Sequence, residues 1–178
     1  MASNSHTFSG AHGTPDVTKI QTYGFKILEQ KPSTSMFGRG VYFYQDDTYG
    51  RNFAKKWGEL RALESGLPPK IVRVLCVSFC YSKNRFFRWG VEEEKEIFTL
   101  LKQWVDAVPG RHLSRKIQNE LRERYLTQLI SKMPEGCALV LADLPLPPQS
   151  IEKEIKRYPG CVVRDVSILP SPPYIVEE

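Results

Sequence analysis

The stretch from residue 70 to 81 constrains this chain most. Ile71, Val72, Val74, Leu75, Val77 and Phe79 make a nearly unbroken apolar run, rich in β-branched side chains. It is too short to cross a bilayer and too continuous for a half-solvated strand, so it predicts a central strand buried on both faces. Such a strand needs neighbours. Apolar or aromatic runs at residues 7–11, 25–28, 41–44, 137–142, 161–166 and 174–176 supply them.

Helical periodicity accounts for most of the remainder. Thr14-Pro15-Asp16 predicts a helix start with the Thr14 hydroxyl as cap, ending before Gly24. Asp46 and Asp47 open a helix to about residue 64, carried by Phe53, Trp57, Leu60 and Leu63; Pro68-Pro69 stops it. Ile97, Leu100, Leu101, Trp104 and Val105 define a helix over residues 92–107. Ile117, Leu121, Tyr125, Leu126, Ile130 and Met133 define the next, over residues 111–133, and residues 149–158 a short one after it. Residues 29–37 read as a polar loop and residues 144–148 as a proline-rich connector. Strands at both ends with helices between predict an α+β fold, one domain over residues 1–178.

A 178-residue chain that is 41% hydrophobic has enough apolar material for a core and is neither disordered nor repetitive. Its net charge of +5 suits a polyanionic ligand without demanding one. Arg111, Arg115, Lys116, Arg122 and Arg124 alternate with Glu120 and Glu123 along one helix. That mixture reads as a solvated face, with a nucleic-acid surface as the lesser reading. The polar start carries no apolar signal segment, so the expected location is cytoplasmic, or a host cytoplasm into which the chain is delivered, with no membrane partner. Cys76, Cys80, Cys137 and Cys161 lie in apolar stretches and read as buried free thiols of a reducing compartment. Their spacing matches no zinc site, so no metal is expected.

No nucleophile triad, phosphate-binding glycine loop or zinc-hydrolase motif is present. Two clusters remain: Gly10-Ala11-His12-Gly13-Thr14 and Phe37-Gly38-Arg39-Gly40-Val41-Tyr42-Phe43. Each alone is explained by a strand end with a helix cap, or by a turn before an aromatic strand. Together they are followed by Asn52-Phe53-Ala54, with thirty residues from His12 to Tyr42. In that order they resemble the catalytic domain of the poly(ADP-ribose) polymerase-like, or diphtheria-toxin-like, ADP-ribosyltransferases. The likeness is clearest over residues 8–57 and continues through residues 70–80 and 137–176. Residues 82–136 stand outside it, as a helical insertion centred on 91–133.

The resemblance implies two packed antiparallel or mixed sheets with flanking helices, and NAD as co-substrate. His12 and Tyr42 would be the catalytic pair. His12 would hydrogen-bond an adenosine-ribose hydroxyl, Gly13 would pair its main chain with the nicotinamide amide, and Thr14 would add a hydroxyl contact. Tyr42 would stack on the nicotinamide ring, and Phe53 would close its other face. Gly50 falls where a small residue is usual, and Tyr49 is a nearby alternative for stacking. Residues 29–37 would lie over the dinucleotide.

The late-strand glutamate of the chain-elongating members is missing, because Tyr158-Pro159-Gly160-Cys161 places Gly160 at its position. A slip of one residue gives Pro159 or Cys161, and neither is a carboxylate. Three readings follow. The first is mono-ADP-ribosyl transfer to an acceptor, protein first and nucleic acid second. The second is a carboxylate supplied from elsewhere, with Asp143 and Glu154 as candidates. The third is a catalytically inactive NAD-binding or interaction module. Synthesis of poly chains is disfavoured under all three.

Overall fold

The computed structural model describes residues 5–27, 36–107, 114–147 and 157–177. It shows an α+β fold built on a single seven-stranded mixed sheet: β1 (Ser5–Thr14), β2 (Val41–Gln45), β3 (Arg73–Ser82), β4 (Phe86–Arg88), β5 (Leu139–Pro145), β6 (Arg157–Val163) and β7 (Ile175–Glu177). Their order is β4-β5-β6-β2-β1-β3-β7. Only β4 and β5 run parallel; every other neighbouring pair is antiparallel.

The expectation of two packed sheets is corrected here, and the pairing register gives the reason. β1 matches β3 along its whole length, from Ser5↔Ser82 to Thr14↔Arg73, but meets β2 only at Gly10↔Gln45 and Ala11↔Tyr44. That narrow ladder joins two broad halves, β7-β3-β1 and β2-β6-β5-β4, into one sheet.

The sheet is covered on both faces. Ala11, Tyr44, Val74, Cys76, Val140, Ala142, Leu144 and Val162 share a core with helices α2 (Thr48–Glu64), α3 (Val91–Ala107) and α4 (Arg115–Ile130). Val41, Phe43, Leu75, Val77, Phe79, Leu139, Cys161 and Val163 form the other core, over which Phe25, Tyr174 and helix α1 (Val17–Tyr23) pack. The two-residue alternation along each strand sorts these sets. The predicted central strand lies one place in from the sheet edge. Its Arg73, Ser78 and Cys80 are exposed, and β7 pairs with it only over Val74–Cys76.

Helix α2 begins at Asp47, whose carboxylate accepts from the Gly50 N–H at 2.8 Å. Its buried stripe is Gly50, Phe53, Ala54, Gly58 and Ala62. The predicted apolar face held only in part, since Leu63 is exposed. The helix lies so close to the sheet that a Cβ on Gly58 would stand 2.8 Å from the Gly13 carbonyl carbon. Only small side chains fit at that seam, and larger ones are displaced to its flanks.

Other expectations are revised locally. The N-cap of α1 is Asp16, not Thr14; the Thr14 hydroxyl instead accepts from the Asp16 N–H at 3.0 Å. Residues 25–27 form no strand, and Phe25 packs edge-on against Phe43 and His12. Leu144 and Pro145 belong to β5, not to a connector. The predicted 149–158 helix falls mostly outside the described residues, and Arg157 and Tyr158 are strand. Arg122 leaves the solvated face of α4 to pair with Glu94, while Arg111 lies outside the described residues. All four cysteines are free; Cys76 and Cys161 are buried, Cys137 is partly covered and Cys80 is exposed. Among the described residues, no helix is long and apolar enough to cross a membrane.

Candidate functional site

Beyond Ala11 the first two strands part, and both sequence clusters lie where they separate. Direction along β1 can be read from one bond: the Asp46 N–H donates to the Ser9 carbonyl at 3.0 Å, so Ser9 presents its main chain to β2. Main-chain groups alternate sides along a strand. Ala11 and Gly13 therefore face the β2 side as well, while Gly10 and His12 face β3. The β2 ladder ends at Ala11↔Tyr44, so the Gly13 N–H and carbonyl point into the opening between strands.

His12 spans that opening. Its Nδ1 lies 2.8 Å from the Tyr42 carbonyl oxygen. A carbonyl can only accept, so Nδ1 carries the proton and Nε2 is left as an acceptor in the neutral ring. Burial pulls the imidazole pKa below its ordinary 6.5; the bond to Tyr42 opposes this, and the positive charge of Arg61 adds to the lowering. His12 is therefore a neutral acceptor near pH 7, the form that can receive a hydrogen bond from a hydroxyl donor. Its ring packs with Phe25 and Phe43.

Tyr42 is partly buried against the helical side of the sheet, opposite the His12 ring. Its hydroxyl donates to the Gly38 carbonyl at 2.8 Å and accepts from the Phe37 N–H at 3.1 Å. Gly38 takes φ +73°, a conformation that favours glycine, so the turn and the tyrosine hydroxyl hold one another. Phe37 is fully buried, edge-on to Trp89, and its carbonyl accepts from Arg164 at 3.1 Å.

The remaining predicted residues divide. Thr14 is buried beside Gly13, with its hydroxyl already accepting locally. Phe53 is 2% exposed and enclosed by Tyr44 and Tyr158, so its ring has no open face for a ligand in this structure. Tyr49 is 51% exposed at the start of α2, near Tyr158. Gly50 sits where its Cβ would collide with the Gln45 carbonyl, and Gly13 where its Cβ would collide with that of Ala54. Both glycines are thus required by packing, whatever binds. A Cβ on Gly160 would lie 2.5 Å from the Phe43 carbonyl oxygen and 2.6 Å from a Leu144 methyl carbon, so that position is closed to any side chain. Asp143 is exposed on β5, and Glu154 lies outside the described residues.

Several polar residues near these clusters escaped the sequence reading. Glu94 accepts from Trp89 at 2.8 Å and from Arg157 at 3.0 Å, and pairs with Arg122 at 3.3 Å. Burial alone would raise its carboxyl pKa, but the bonds from Arg157 and Trp89 and the charge of Arg122 outweigh it, and the net shift is downward. The Tyr158 hydroxyl donates to Asp47 at 2.6 Å, and Trp57 donates to the Tyr44 hydroxyl at the same distance. These partners come from segments far apart in sequence, and no local motif announces them. No group of His, Cys, Asp and Glu among the described residues could hold a metal ion. Comparisons with models of protein families, with curated proteins and with solved structures return no match, so the molecule's own geometry carries the functional reading.

Proposed function

We propose that this chain is an NAD-dependent mono-ADP-ribosyltransferase, releasing nicotinamide as ADP-ribose passes to a protein or other acceptor. The observation that supports it best is the parting of β1 and β2. There the Gly13 main-chain donor and acceptor face an opening bridged by a neutral His12. A carboxamide presents the matching acceptor and donor, and a ribose hydroxyl suits the free Nε2. Tyr42 flanks the opening from the helical side of the sheet, and Arg61 adds positive charge near His12 that suits a ligand carrying two phosphates. The sealed position at Gly160 argues against chain elongation.

The test is nicotinamide release from NAD by purified protein, with and without cell lysate. Release that needs lysate is expected from wild type and is lost in Tyr42→Ala. Tyr42→Phe separates the ring from its hydroxyl: retained release assigns stacking, and lost release assigns the hydroxyl's hold on the Phe37–Gly38 turn. Release that survives Tyr42→Ala overturns the reading.

A second reading, an inactive NAD-binding or interaction module, is favoured by Phe53 lying closed beneath Tyr158 and by the absence of any side chain at 160. It predicts NAD binding by calorimetry with no nicotinamide released under any condition.

A further inference from the structure

Breaking the nicotinamide–ribose bond leaves positive charge on the ribosyl carbon, and a fixed carboxylate close by stabilises it. Residue 160 cannot supply one. Asp143 lies among the strand positions of the opposite face and is exposed. Glu94 has its oxygens committed to Trp89, Arg157 and Arg122. Glu123 on α4 is placed differently. Its Cγ, Cδ and Oε1 lie 2.8, 2.7 and 2.5 Å from where a Gly38 Cβ would be, so the carboxylate rests on the turn whose carbonyl holds the Tyr42 hydroxyl. It makes no ion pair among the described residues. The preceding residue, Arg122, anchors the helix through Glu94 to Arg157 of β6, which fixes Glu123 in place. A hollow of about 280 Å³ opens beside it along α4, lined by Glu120, Glu123, Arg124 and Thr127.

We propose that Glu123, carried by the helical insertion, is the carboxylate that serves the Tyr42 site in place of residue 160. The assignment rests on the transferase reading above. The C1′–N bond of NAD breaks and its electron pair leaves with nicotinamide, which becomes neutral. The positive charge passes to the ribosyl C1′, facing Glu123. An acceptor lone pair then forms the new bond to C1′. Where that acceptor is a hydroxyl, its proton passes to the Glu123 carboxylate and from there to water. The insertion is then a wall of the site rather than a separate docking module.

The experiment uses the full chain with NAD, measuring nicotinamide release with lysate, NAD affinity by calorimetry, and thermal melting. Glu123→Gln is expected to lower kcat by about 10²–10³-fold, as loss of one transition-state electrostatic partner does, with NAD affinity changed less than about 3-fold. Glu123→Asp keeps the charge and should recover part of the rate, and Glu92→Gln on the exposed start of α3 should match wild type. Unchanged turnover in Glu123→Gln, with turnover lost in Tyr42→Ala, overturns this assignment and leaves the transferase reading standing. Affinity lost in step with rate overturns it too, in favour of a positioning role. No Tyr42-dependent release by wild type overturns both.

Discussion

Strand β1 has two unlike edges. Toward β3 it pairs without interruption from Ser5 to Thr14; toward β2 it pairs at Gly10 and Ala11 and then parts. The first edge consumes every main-chain group that faces it and so builds a stable, chemically silent ribbon. The second leaves Gly13 facing an opening, with His12 reaching across to Tyr42. The difference shows how one strand can be both scaffold and site: hydrogen-bond saturation on one side permits incompleteness on the other. The same opening is closely packed from the helical side, since α2 lies against Gly13 through Ala54 and Gly58.

The comparison can be broken in graded ways. Placing an acid at residue 160, Gly160→Glu, should be the most severe, because it puts a charged side chain between the Phe43 carbonyl and Leu144. A loss above about 4 kcal/mol is expected, enough to prevent folding. A soluble variant with a native circular-dichroism spectrum and wild-type melting would show that position 160 is open after all.

Gly13→Ala comes next. Its methyl group would overlap the Ala54 carbonyl, pushing α2 from the sheet at a cost of about 3 kcal/mol by denaturant titration. A loss below about 1 kcal/mol would mean that α2 can shift away from Gly13 at little cost.

Glu94→Gln should cost about 1–2 kcal/mol, because Arg122 and Arg157 lose a shared anion while a hydrogen-bonding side chain of the same shape remains. The pH dependence has a definite sign. The folded carboxyl titrates below its ordinary 4.5, so its contribution is present above pH 4.5 and is lost as pH falls through the folded value. That acid limb should shrink in Glu94→Gln. An identical limb in both proteins would remove Glu94 as its source.

The mildest effect belongs to His12. Its folded pKa lies below 6.5, so between the two values the unfolded chain binds more protons and stability falls as pH drops below about 6.5. His12→Gln should flatten that decline in thermal melts taken from pH 7.5 downward. An unchanged slope would place the proton uptake elsewhere.

Much of the fold was legible in local sequence. The 70–81 run became β3 with a shift at its start, Asp47 capped α2 where two acids open a helix, and Pro68-Pro69 ended it. Val41 through Tyr44 formed β2, and the helices α3 and α4 appeared at their periodic positions. What failed did so for tertiary reasons. Phe25 is apolar enough for a strand, but it is held as a single plug against His12, Phe43 and Tyr174. Leu63 matched the helical period, yet the close approach of α2 to Gly13 turned the small-residue stripe inward and left Leu63 outside.

The candidate site follows the same division. Sequence alone picked out His12, Gly13, Thr14, Tyr42, Tyr49, Gly50 and Phe53, because residue types and short spacings are local properties. It also showed that no acid stands at 160. Only the tertiary structure decided what those residues can reach. It gave His12 a fixed tautomer through Tyr42, gave Gly13 and Gly50 a packing reason to be glycine, and enclosed Phe53 beneath Tyr158. It also brought Glu123 onto the Gly38 turn, and Glu94 to Arg122 and Arg157, from segments that chain order keeps far apart. A strand or a helix is chosen by neighbours within a few residues, whereas burial, partners and the state of a proton are chosen by whatever the rest of the chain folds against it.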